Sequence, residues 1–257
     1  LENIDILETG PKGNHDGIKL SGIDRFTVRN CRVWGWGGSG IDMVGCHHGV
    51  IEYCEFEGRN GFSQSNALQM KGGSSDLLVQ LNTFRDVGQR AINIGGSTGL
   101  QYFRPSAQDY EATRIEIGGN QFFGSMAPIV WATAQGGWVH HNTIVKPDKW
   151  VLRILQENKE KRFKPSSDGR FENNVVVCDQ RVRVAVNVGG GTAPETFVFK
   201  DNYWLTAEAQ SLRLPTEEIG GQRQTFSDEN DLQSMLTDQA SKGRGAAAYK
   251  RPAIFSW

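Results

Sequence analysis

The chain has 257 residues, with 28 Lys and Arg against 29 Asp and Glu and a formal net charge of −1. No basic block is present, which argues against a nucleic-acid partner, and no run of about 18 apolar residues is long enough to span a membrane. Glycine is abundant, at 31 residues, as in folds that turn often and need positive φ.

The opening residues, Leu1-Glu2-Asn3-Ile4-Asp5-Ile6, already read as a strand in mid-repeat. A solenoid needs a polar cap at each end, so further residues upstream, an export signal among them, and a secreted or periplasmic location are expected.

From there a repeat runs to about Trp204. One half is a hydrophobic strand, then Asn or Cys, then a second apolar residue. It appears as Val28-Arg29-Asn30-Cys31-Arg32-Val33, Ile51-Glu52-Tyr53-Cys54-Glu55-Phe56 and Val79-Gln80-Leu81-Asn82-Thr83-Phe84. It returns at Val139–Ile144, Phe171–Val176 and Phe199–Trp204. The other half is a short strand such as Gly17-Ile18-Lys19-Leu20, Gly40-Ile41-Asp42-Met43, Ala67-Leu68-Gln69-Met70 or Ala91-Ile92-Asn93-Ile94. A period of roughly 20 to 40 residues built from strands means a solenoid. Parallel strands with crossovers too short for a helix cannot form a doubly wound sheet, so the predicted fold is an all-β parallel β-helix.

Aligned on the Asn/Cys slot, the coils give Ile4, Cys31, Cys54, Asn82, Asn120, Asn142, Asn174 and Asn202. The asparagines read as a side-chain ladder at a turn rather than as site residues. Cys31 and Cys54 read as a buried column of small residues, although strands stacked about 4.8 Å apart would also permit a bridge. Cys46 and Cys178 stand alone.

Two insertions interrupt the period, Gly95 to Thr113 and Gln156 to Asp168, and long loops of this kind often carry function. After Leu205 the pattern stops. Asp228 and Glu229 lead into Leu232, Met235 and Leu236, and Lys242-Gly243 follow, which predicts a short amphipathic helix with an N-cap and a glycine stop. It is expected to fold back over the open coil end.

Alternate strand residues face outward. In the second-half strands these are Lys19, Asp42, Gln69, Asn93, Arg153 and Asn187, with Val130 interrupting, and Lys71 follows two residues after Gln69. Together with Asn66 and Arg90 they place carboxylate, amide and cationic groups on one flat face within adjacent coils, a grip suited to an acidic polysaccharide. β-Elimination of a uronate polymer needs a base for the proton α to the carboxylate and a cation for the enolate. Lys71 is the candidate base, its pKa lowered by a neighbour such as Arg90. Arg153 and Arg104 are candidates to clamp carboxylates. Gln101, Tyr102 and Trp150 supply amide and aromatic contacts for sugar rings. Each is equally readable as packing, and Lys19 with Asp42 as an ordinary surface pair.

His47-His48 and His140-His141 lack partners at zinc-ligand spacing. Calcium through Asp16, Asp42 or Asn66 stays open, although the acidic cluster it usually wants is thin.

Over residues 1 to 204 the coil pattern resembles the right-handed parallel β-helix superfamily with the pectin-lyase-like fold. Asn14-His15-Asp16-Gly17 is similar to the start of the polygalacturonase signature, but Ser39-Gly40-Ile41 stands where the following aspartate pair would fall, and inverting hydrolysis needs two placed carboxyl groups. Ser65-Asn66-Ala67-Leu68-Gln69-Met70-Lys71-Gly72 resembles the Ser-Lys-Ser strand of the alginate and chondroitin lyases. That resemblance implies Lys71 as base and calcium ligands near Gln64 and Asn66. The family's Arg-His-Gly corresponds to Gly95-Gly96-Ser97, leaving Arg90 as the substitute arginine.

The expectation is thus a right-handed parallel β-helix of about seven to eight coils over residues 1–204, with a tail over 205–257 that packs on it or caps it. The expected protein is a monomer acting on a polysaccharide, with no nucleic acid and no membrane span, leading as a lyase for an acidic glycan. The alternatives are a non-catalytic carbohydrate-binding or structural β-helix, and after it a glycoside hydrolase or epimerase.

Overall fold

The computed structural model describes residues 1–207 and 212–251. Of the tail expected from 205 to 257, residues 208–211 and 252–257 therefore lie outside the described residues.

The chain is a right-handed parallel β-helix. Each coil contributes one strand to each of three parallel sheets. Sheet I stacks Ile18–Ser21, Ser39–Val44, Asn66–Lys71, Arg90–Gly95, Ala127–Ala132, Leu152–Leu155 and Val186–Val188. Sheet II runs from Asp24–Arg29 to Val198–Lys200, and sheet III from Asp5–Leu7 to Tyr203–Thr206 and on to Gln222–Thr225.

The strand–Asn–strand motif is a bend from sheet II into sheet III. The residue before the slot takes left-handed backbone in successive coils, with φ of 54° at Tyr53, 56° at Leu81, 51° at His141 and 53° at Asn173. Non-glycine residues reach that region at a cost of about 1–2 kcal/mol each, which the slot side chains offset. Asn82, Asn120, Asn142 and Asn174 each send both N–H and side-chain Nδ2 to the next slot oxygen, at 2.9–3.0 Å. Their amides also donate across the coil, as from Asn142 to Ile117 O at 2.9 Å. Cys31 and Cys54 occupy the same slot as buried free thiols, and burial pushes Cys54 up to about 12.

Inside, Phe56, Phe84 and Phe122 form a face-to-face stack with centroids 4.9 and 4.8 Å apart. Ile41, Leu68, Ile92, Ile129 and Leu152 fill the sheet I side. Each such side chain contributes on the order of 1.5–3 kcal/mol on burial.

The helix forms at Glu229–Ser241, capped by Asp228, whose carboxylate accepts from Asp231 N. It does not cover the coil end. Leu232 packs with Val175, Val177, Tyr203 and Leu205 on the outer face of sheet III, joined by Met235 and Leu236. Those outward positions are apolar in the last coils, so the helix's apolar stripe covers the side of the solenoid. The end of sheet III is extended instead by Gln222–Thr225, paired in parallel with Tyr203–Thr206.

Beyond the helix, the chain turns back as a strap across the coils. Gly245 N donates to Asn173 O, and Ala246 N to Thr143 Oγ1. Tyr249 lies on Gly118 and Gly119, where an added Cβ would come within 2.6 and 2.3 Å of its atoms. Its hydroxyl donates to Gln80 Oε1 at 2.8 Å. Arg251 then forms a two-pronged pair with the fully buried Glu52 at 3.0 and 2.7 Å. No periodicity announces this segment.

Candidate functional site

The outward column of sheet I has the expected register, Lys19, Asp42, Gln69, Asn93, Val130, Arg153 and Asn187 on consecutive rungs. The face is not flat and open. Asp42, Asn66 and Asn93 are 2%, 6% and 0% exposed. Trp150 and Leu155 pack over Ala127, Val130 and Ala132, so the middle of the sheet lies under side chains. Asn93, expected to touch a ligand, has no access to one; its Nδ2 donates weakly to Gly95 O at 3.3 Å.

The two insertions join into one flap beside sheet I. Phe103 meets Phe163 with centroids 5.7 Å apart. Arg162 donates to Gln108 O and Ala107 O at 2.9 and 2.7 Å, and Lys164 pairs with Asp109 at 2.6 Å. Between this flap and the near end of sheet I lies a cavity of about 420 Å³, lined by Asn14, Lys19, Ser21, Val44, Lys71, Ser97, Thr98, Gly99 and Tyr102.

Lys19 and Lys71 are the charged residues of that lining, and both turn on Asp42. Lys19 pairs with Asp42 Oδ2 and, at 3.4 Å, with Asp16. Burial opposes the charge of Lys19, but the hydrogen bond and charge of Asp42, aided by Asp16, raise its pKa above the ordinary lysine value. Lys71 Nζ lies 3.1 Å from Asp42 Oδ1, an ion pair outside hydrogen-bonding geometry, and donates to Gln69 Oε1 at 3.1 Å. Asp16 is also tied down, accepting from Ser39 N at 2.7 Å. It serves the turn and does not face the cavity lining as a free acid.

The other predicted residues fall elsewhere. Arg90 is not a neighbour of Lys71: it pairs in register with Asn66, five residues and roughly 16 Å along the strand from Lys71. Its guanidinium binds Glu157 of the second insertion at 2.6 Å. Arg153 sits three rungs from Gln69, about 14 Å away at strand spacing. It donates to Asn187 Oδ1 at 2.9 Å and lies 4.5 Å from the Trp150 ring, which Lys149 also approaches at 4.3 Å. Desolvation, with Arg90 nearby, lowers the pKa of Arg153. Arg104 donates to Gln101 O and Phe103 O, so its guanidinium braces its own loop. Gln101 is exposed beside Tyr102, a residue 57% exposed at the cavity rim.

In the sequence Lys19 reads as half of a surface pair, Asn14 only as the start of a hydrolase-like motif, and Thr98 carries no signal. The shared column of Lys19, Asp42 and Gln69 is the available signal for the first; nothing periodic marks Asn14 or Thr98 as cavity residues. Calcium does not fit this arrangement. Of the expected ligands, Asp42 is held between Lys19 and Lys71, Asp16 pairs with Lys19 and accepts from Ser39 N, and Gln64 and Asn66 offer only amides. The described residues hold no group of three or more His, Cys, Asp or Glu placed for a metal.

The family model described as "right handed beta helix region" matches residues 11–104, a segment that includes Lys19, Asp42 and Lys71. Among curated proteins no sequence matches. Among solved structures, the chain is similar to an arginine-to-alanine mutant of the PL6 family alginate lyase AlyGC, at 9% identity and a TM-score of 0.28. That match covers 97% of this chain, which spans 59% of the length of that one.

Proposed function

We propose that the chain binds an acidic polysaccharide in the Lys19–Lys71 cavity and cleaves it there by β-elimination. The observation that carries this reading is the pair of lysine side chains, Lys19 and Lys71, on the wall of a cavity whose lining contains no carboxylate. Asp16 and Asp42 lie behind them, nine-tenths or more buried at their side chains. A uronate carboxylate matches that wall, and hydroxyl groups match Asn14, Ser21, Ser97 and Thr98. The exposed ring of Tyr102 offers a face for a sugar.

In the step, neutral Lys71 takes the proton from the carbon α to the uronate carboxylate. The C–H electron pair becomes the new C=C bond, the C–O bond to the adjoining sugar breaks, and the departing oxygen takes a proton from water. Lys19 remains charged and neutralises the carboxylate as it gains enolate character. Asp42 stabilises the ammonium formed on Lys71. Arg90, Arg153 and Trp150 are assigned to a more distant stretch of the same polymer.

Incubation with a panel of uronate polymers should raise the ultraviolet absorbance of unsaturated uronate, and Lys71→Met should lower that rate about 100-fold or more. A second reading, a non-catalytic glycan binder, is favoured by the tie of Lys71 to Asp42 and Gln69, which suits the ammonium form. Glycan binding that survives Lys71→Ala, with no absorbance change on any polymer, would replace the lyase reading with this one. New reducing ends without that absorbance would favour hydrolysis.

A further inference from the structure

Glu111 lies near the end of the first insertion, directly before the sheet II strand Ala112–Gly118. It is 0% exposed, and among the described residues no Lys, Arg or His pairs with it. A buried carboxylate without a counter-charge is costly unless hydrogen bonds hold it. Here three do, each from a different part of the chain. Gly72 N donates to Oε2 at 2.8 Å, Thr98 N to Oε1 at 2.7 Å, and Asn158 Nδ2 to Oε1 at 2.7 Å. Asn158 Nδ2 also reaches Thr98 O at 3.2 Å.

Those donors frame the cavity. Gly72 directly follows Lys71, Thr98 is part of the opposite wall, and Asn158 belongs to the second insertion. The backbone adds two further ties, Gly73 N to Glu111 O at 2.9 Å and Glu111 N to Thr133 O at 2.8 Å. We infer that Glu111 is the positioning residue of the Lys71 cavity, fixing the Lys71 strand end against the Thr98 wall and locking the second insertion to both. The cavity's importance rests on the function proposed above; the clamp itself does not. Only an all-acceptor group serves three converging N–H donors, which is the reason for a carboxylate at this buried point. Its charge also strengthens each bond.

The test is Glu111→Gln, which keeps the shape and turns one acceptor into a donor. The Gln oxygen can keep Thr98 and Asn158, which leaves an NH₂ facing the Gly72 N–H. Hydrogen exchange read by NMR should become at least tenfold faster at the Gly72 and Thr98 amides, with Val139 and Phe171 on remote rungs unchanged. The side-chain signal of Lys71 should move, and that of Lys242 on the helix should not. Asn158→Ala should loosen the second insertion while Gly72 stays protected. Unchanged exchange at Gly72 and Thr98 in Glu111→Gln would overturn the inference, as would an equal rise on the remote rungs. None of these readouts needs a substrate, so failure of every uronate polymer to bind would count against the proposed function alone.

Discussion

Lys71, in register with Val44, reaches back diagonally to Asp42 on the neighbouring rung of sheet I, with Nζ 3.1 Å from Oδ1, while Lys19 holds the other carboxylate oxygen. One buried acid therefore serves two cavity-facing cations. Asp42→Asn should leave both ammonium groups without their main counter-charge. The Lys19 side chain is 54% exposed and Lys71 20%, so the cost is expected near 1–2 kcal/mol, below that of a fully buried pair. The raised pKa of Lys19 gives the sign of its pH dependence. Its pairing contributes fully below the unfolded lysine value of about 10.4 and is lost as pH rises through the higher folded value. In Asp42→Asn that value should fall, as side-chain NMR titration of Lys19 would measure; an unchanged titration would count against the pairing.

The asparagine ladder should be the most sensitive polar element. Asn142→Ala leaves the Asn120 N–H without its acceptor, takes one of three acceptors from Asn120 Nδ2, which keeps Val79 O and Gly118 O, and removes the Asn142 donor from Ile117 O. At about 1–3 kcal/mol for each buried orphan, a loss of about 2–4 kcal/mol is expected in urea unfolding.

The phenylalanine stack makes a parallel prediction for the apolar core. Phe84 touches rings on both sides, so Phe84→Ala should cost about 3–5 kcal/mol. Phe84→Leu should cost less, since the slot stays largely filled. Thermal unfolding of both variants would check the order.

At the strap, burial opposes the charge of Glu52, but hydrogen bonds from Gln80, Arg29 and Arg251 outweigh it and hold its carboxyl below the ordinary value. That contribution is present above the unfolded glutamate pKa of about 4.3 and is lost as pH falls through the lower folded value. Arg251→Ala should move acid unfolding to higher pH and cost about 1–3 kcal/mol at neutral pH. Gly118→Ala should mimic it without altering any charge, because its Cβ would strike the Tyr249 ring.

The repeat made the architecture legible because strand period and slot spacing are local properties that survive in the linear order. Lys19, Asp42, Gln69 and Lys71 could be placed on one face for the same reason. The burial of Asn93, the pairing of Arg90 with Glu157 and the clamp at Glu111 were not legible. Each depends on where an insertion returns, and a loop's return point leaves no periodic trace. The helix at Glu229–Ser241 was readable from its cap and stripe, but its resting place was set by the apolar outer positions Val175, Val177 and Leu205, which looked like ordinary strand residues.

The strap has a consequence for how the molecule comes apart. A solenoid whose coils touch only their neighbours can fray from one end, coil by coil. Here Arg251 closes on Glu52 across 199 positions of sequence, with Tyr249 gripping coils between. Early coils held this way should not melt by themselves, so unfolding should be more cooperative than the repeat alone would allow. A contact of such long sequence separation also closes late, which leaves the early coils to assemble before anything locks them.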